Sequence, residues 1–62
     1  MSNKIYLGDA VYAEIDEWNS VVLTTEDGIR ATNRIVLELE VAVALVRWLK
    51  RVAPGVAKAA DG

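Results

Sequence analysis

One apolar run, residues 38–53, constrains the fold more than any other part of this sequence. It reads ELEVAVALVRWLKRVA, and at 100° per residue its apolar side chains gather on one side of a helix. The residues that share this side are Ala42, Leu45, Leu49 and Val52. A fully buried strand is the competing interpretation of VAVALV, but the alanines and the length of the run argue against it. The run therefore predicts a helix about 24 Å long, which ends at Pro54 and Gly55.

The residues before this run have the pattern of short strands. Residues 5–7 form a brief extended segment, and residues 11–15 alternate between apolar and polar side chains. Residues 20–25 are rich in β-branched side chains, and residues 34–37 again alternate. Residues 29–33 are ambiguous, because they fit either a widened hairpin loop or a continuation of the strand that follows.

Turn residues separate these strands. A bend is expected at Gly8 and Asp9, a turn at residues 16–19, and a hairpin at Glu26-Asp27-Gly28, where glycine permits a positive φ. The alternation then divides the strand residues between two faces of a sheet. The expected core face carries Val11, Ala13, Ile15, Val21, Leu23, Ile35 and Leu37, and the expected open face carries Tyr12, Glu14, Val22, Thr24 and Val36.

The pattern as a whole predicts the α+β class. We expect a three-stranded antiparallel β-meander, with a short extra N-terminal strand as an option, packed on one C-terminal α-helix. Residues 1–62 form a single small domain, with an ordered core at about 5–53 and a flexible tail at 55–62. A chain of this size buries only about 60% of its unfolded surface, so we expect a marginal core.

Composition excludes several function classes. The 62-residue sequence contains no histidine and no cysteine, so the commonest general base, two common metal ligands and any disulfide are missing. We therefore predict a protein that is not an enzyme, with no catalytic residue, no metal site and no cofactor. No stretch reaches the length needed to span a membrane, and the N-terminus has no long apolar signal-peptide core, which predicts a soluble protein of the cytoplasm.

Charge is distributed unevenly along the chain. Residues 1–27 contain six acidic residues and one basic residue, whereas residues 28–62 carry a net charge of +3. Acidic side chains along strands and turns can imitate the charge spacing of a nucleic-acid backbone and occupy a basic groove. Tryptophan and tyrosine are typical anchors in protein interfaces. The predicted partner-binding residues are Asp9, Tyr12, Glu14, Asp16, Glu17, Trp18, Glu26 and Asp27.

The segments YLGDAVYAEID, VVLTTEDG and NRIVLE carry a resemblance that covers about residues 5–50. In them the chain resembles a group of small, largely uncharacterised proteins encoded by phages and prophages. Two features depart from that group: residues 16–19 read Asp-Glu-Trp-Asn where an Asp-Gly pair is usual, and no proline precedes the helix near Leu39. No catalytic residues are carried over from the group. Small, acidic, cysteine-free phage proteins are often inhibitors of host machinery, anti-CRISPR proteins among them.

The resemblance and the acidic half together favour an inhibitor that binds a host protein or nucleoprotein complex, such as a CRISPR-Cas surveillance complex. It would act in the cytoplasm of the host cell, as a monomer or a weak homodimer, without contact to a membrane. Two alternatives stay open. One is a small nucleic-acid-binding accessory protein that uses Arg47, Lys50 and Arg51, although the net acidic charge disfavours nucleic acid as a partner. The other is a self-associating structural module.

Overall fold

The computed structural model describes residues 3–61 and contains a four-stranded antiparallel sheet followed by two helices. The strands are β1 (Ile5–Gly8), β2 (Val11–Ile15), β3 (Val21–Glu26) and β4 (Ala31–Leu37), and the helices are α1 (Leu39–Val52) and α2 (Pro54–Asp61). The sheet order is β1-β2-β3-β4, so each strand pairs with its neighbour in sequence. The predicted α+β meander with a C-terminal helix is confirmed, and the optional N-terminal strand is present as β1. Residues 1, 2 and 62 of the predicted domain and tail lie outside the described residues.

The three hairpin turns form where the sequence predicts them. At the first, Asp9 and Ala10 both have positive φ values, 53° and 64°, as two-residue hairpin turns require, and the register shifts between Tyr6 and Gly8. At the third, Gly28 has φ +93°. The ambiguous residues 29–33 divide between this turn and β4, which begins at Ala31.

The buried face of the sheet is the opposite of the predicted one. Ser20, Val22 and Thr24 are the buried residues of the described chain, whereas the expected core residues Val21 and Leu23 are only half-buried. Both faces carry apolar side chains, so alternation alone cannot decide between them. The register decides it, because three of the four cross-strand neighbours of Val22 and Thr24 on β3 have long side chains. These flanking residues are Tyr12 and Glu14 on β2 and Arg34 and Val36 on β4.

Helix α1 begins and ends within one residue of the predicted run, but its apolar side is less buried than expected. No residue of α1 is buried, and Leu45 and Trp48 remain 41% and 49% exposed. The helix approaches the sheet chiefly at β4, the strand that it directly follows. Its N-cap residue Glu38 has extended backbone and makes no side-chain cap, so the short connection from β4 fixes where α1 starts.

Helix α2, Pro54–Asp61, includes residues 55–61 of the predicted tail. Pro54 ends α1 and also begins α2, because proline is tolerated at the first position of a helix, where no intrahelical N–H is needed. The alanine-rich residues that follow have high helix propensity. One proline therefore marks both the end of the first helix and the start of the second.

We expect opposite effects from alanine at Gly28 and at Gly55. Neither added Cβ would meet another atom within 4 Å, so only backbone preference differs between the two sites. Gly28→Ala forces alanine into a positive φ and should lower the free energy of unfolding by about 1–2 kcal/mol. Gly55→Ala lies in α2 and should raise it by up to about 1 kcal/mol. Urea denaturation followed by circular dichroism measures both, and equal effects would contradict this assignment.

Candidate functional site

The predicted partner-binding residues do not form one surface, because the sheet separates them into three groups. Asp16, Glu17 and Trp18 occupy the β2–β3 turn, which we call the hairpin tip. Asp9, Glu26 and Asp27 lie at the opposite end of the sheet, about 17 Å away along a five-residue strand. Tyr12 and Glu14 lie between the two ends, on the face that carries the buried Val22 and Thr24.

Tyr12 of the middle group and Glu26 of the opposite end are engaged in contacts within the chain. The rings of Tyr6 and Tyr12 lie 5.0 Å apart at an interplanar angle of 54°. Lys4 Nζ lies 4.9 Å from the centre of the Tyr12 ring and forms an ion pair with Glu26. The hydrogen bond to Glu26 is the main cause that raises the pKa of Lys4 above its ordinary value. Because Lys4 offsets the charge of Glu26 and covers Tyr12, these two predicted binding residues stabilise the sheet locally.

The opposite end is shaped by Asp27. Its Oδ1 accepts hydrogen bonds from the backbone N–H groups of Ile29 and Arg30, at 2.9 and 3.0 Å. These bonds favour the ionised carboxylate, and they hold the pKa of Asp27 below its ordinary value, with the bond from Arg30 contributing most. Asp27 therefore has a clear structural role in the β3–β4 turn.

The hairpin tip is held in a defined shape by Asp16. Its Oδ1 accepts hydrogen bonds from the N–H groups of Trp18 and Ser20, at 3.0 and 2.9 Å. Backbone bonds from Asn19 to Asp16 and from Asp16 to Ser20 close the turn, and Asn19 takes a positive φ of 62°. The indole of Trp18 stays 77% exposed on this braced loop. An exposed aromatic side chain on an ordered loop, next to carboxylates, is the arrangement expected of a binding anchor.

Two further acidic residues, Glu38 and Glu40, lie at the same end of the sheet as the hairpin tip. They were not among the predicted binding residues. Val21 pairs with Leu37, so the chain leaves β4 beside the hairpin tip and enters α1 through Glu38. Glu40 follows in the first turn of α1. The sequence signal for this placement was the order of the meander, which brings the end of β4 back beside the β2–β3 turn.

The basic residues of the alternative hypothesis lie elsewhere. Arg47, Lys50 and Arg51 are exposed on α1, and the last two occupy its final turn, where positive charge suits the helix dipole. Within residues 3–61, no group of three or more acidic, histidine or cysteine side chains could hold a metal ion. Neither helix of the described chain has the length and apolar character to cross a membrane.

Comparison with protein-family models, with curated proteins and with solved structures finds no match to this chain.

The titration of Asp27 gives a test of the turn geometry. The lowered pKa means that its stabilising contribution is fully present above the ordinary value of about 3.8 and is lost as the pH falls through the lower, folded-state pKa. In an NMR titration, the amide signals of Ile29 and Arg30 should therefore move with a midpoint below 3.8. Asp27→Asn keeps an acceptor but cannot titrate, so it should abolish this movement. A midpoint at or above the ordinary value would contradict the hydrogen bonding described here.

Proposed function

We propose that the protein is a non-enzymatic, phage-type inhibitor that acts in the cytoplasm of the host cell. It binds a host nucleoprotein complex, such as a CRISPR-Cas surveillance complex, and occupies a basic surface that otherwise receives nucleic acid. The observation that carries the proposal is the hairpin tip, where Trp18 is 77% exposed beside Asp16 and Glu17. The proposed contact surface is this tip together with the neighbouring start of α1, and it leaves out the rest of the predicted acidic surface.

Two physical features support the tip as the contact. The loop is already ordered by the Asp16 hydrogen bonds, so binding costs little additional conformational entropy. Carboxylates at the tip and at Glu38 and Glu40 present negative charge toward one end of the molecule. Charge of one sign steers association with a basic groove, while the indole supplies apolar contact area after docking. The surface at the opposite end contributes less, since Lys4 already offsets the charge of Glu26 there.

The test is an inhibition assay with purified CRISPR surveillance complexes of several types and their labelled target DNA. Wild-type protein at micromolar concentration should prevent at least one complex from shifting its DNA in a native gel. Trp18→Ala removes the anchor and should cost about 2 kcal/mol or more, which is roughly a 30-fold higher inhibitory concentration. Glu17→Lys should weaken inhibition, most strongly at low ionic strength, because it reverses charge at the tip.

Matched controls separate the tip from general effects. Ile29→Ala shortens another highly exposed apolar side chain, at the opposite end of the sheet, and Asp61→Lys makes a charge reversal in α2. Both should inhibit like the wild type. The same gel without any complex tests direct DNA binding, and we expect no shift at low salt. Inhibition that survives Trp18→Ala and Glu17→Lys, or no inhibition of any complex, would overturn the proposal.

A further inference from the structure

The sheet has an uncovered apolar face that the inhibitor proposal does not use. It is the face opposite the buried Val22, which the sequence predicted as the core face. We call this face the open face from here on. Its residues follow from the strand register: Ile5, Val11, Ala13, Ile15, Val21, Leu23, Thr25, Asn33, Ile35 and Leu37. Ile5, Ile15 and Ile35 are 57%, 44% and 55% exposed. Two shallow hollows, of about 310 and 150 Å³, lie on this face and have mainly apolar linings.

The chain exposes much more surface than a compact monomer of its mass. Its accessible surface is 5192 Å², whereas a folded monomer of 6.8 kDa is expected to expose about 3,950 Å². The radius of gyration is 12.8 Å, compared with roughly 10.6 Å for a compact domain of 62 residues. This excess of roughly 1,200 Å² belongs to the whole chain, helices included, and burial of the approximately 800 Å² that one partner contributes to an interface of standard size would remove about two thirds of it.

Charge favours a second copy of this chain as the occupant. In a twofold contact, each patch meets the same patch of the other copy, so a charged patch would repel itself. The residues that the strand register places on the open face include no acidic or basic side chain, although 26% of the sequence is charged. One acidic residue of the opposite face, Glu14, also lines the larger hollow. A contact surface for a charged partner would carry several complementary charges, which the register positions of this face do not supply. Such a self-compatible, apolar surface is typical of homodimer interfaces.

We propose that the protein forms a homodimer in which the open faces of two copies pack against each other about a twofold axis. The two sheets would lie about 10 Å apart, with their aliphatic side chains between them. This arrangement supplies the buried core that the single chain lacks, since Val22 is the sole fully buried apolar residue in the part of the chain described. It also leaves both hairpin tips at the ends of the strands, outside the contact.

Two matched substitutions test the interface by light scattering. Ile35 lies on the open face and is 55% exposed, and Ile29 lies in the β3–β4 turn and is 91% exposed. Glutamate is compatible with the single-chain fold at either site, but only Ile35→Glu places two carboxylates in the contact. We expect wild type and Ile29→Glu to be dimers and Ile35→Glu to be a monomer at micromolar concentration. A monomeric wild type overturns the proposal, as does a dimeric Ile35→Glu or a monomeric Ile29→Glu.

A second measurement does not depend on how a charged variant folds. The sequence has no cysteine, so a single introduced thiol is the only reactive one. Ile35→Cys should react with a maleimide at least about tenfold more slowly when the protein concentration is raised above the dimer dissociation constant, whereas Ile29→Cys should react at a constant rate. Leu23→Cys, on the central strand, should also be cross-linked between two copies by a short bis-maleimide. Equal protection at both sites, or no cross-link through Leu23→Cys, would overturn the face-to-face contact.

Discussion

Burial of apolar side chains on the two faces of the sheet is the constraint on which the rest of this structure depends. The strands pair only with their sequence neighbours, and helix α1 approaches the sheet chiefly at β4. Among residues 3–61, only Val22 of strand β3 has a fully buried side chain as a consequence. In most domains, burial of apolar surface contributes a large part of the free energy that offsets the loss of chain entropy on folding. Within one copy of this chain that contribution is small. Polar contacts around the turns take a correspondingly larger share in fixing the shape.

Those polar contacts have a common design in two of the three turns. Asp16 and Asp27 each use one carboxylate oxygen to accept hydrogen bonds from two backbone N–H groups of the turn that follows. At the N-terminal edge, Asn3 plays a similar part, because its side-chain amide exchanges two hydrogen bonds with the backbone of Ile15. The acidic residues that the sequence predicted as one binding surface thus have different roles in the structure. Some hold turns, Glu26 pairs with Lys4, and Glu17 remains exposed beside Trp18.

The sequence was sufficient to predict the strands, the turns and α1, because alternation, turn residues and helical periodicity are local signals. It was not sufficient to predict which sheet face is buried. Val22 and Val36 on one face and Val21 and Ile35 on the other are equally apolar, so the answer depends on cross-strand neighbours such as Tyr12 and on Lys4 reaching Glu26. Helix α2 was not predicted for a different reason: Pro54 is a stop signal for α1 and an equally good start for α2.

The purely sequential pairing of the strands has a consequence for how the chain reaches this structure. Every strong contact between elements joins neighbours along the sequence: β1 with β2, β2 with β3, β3 with β4, and α1 with α2. A low contact order of this kind requires no long loop to close before the first stabilising contact forms, so folding is expected to be fast for a sheet protein. Hairpins can form one after another from β3 outward, and we expect the outer strand β1 and helix α2 to open first.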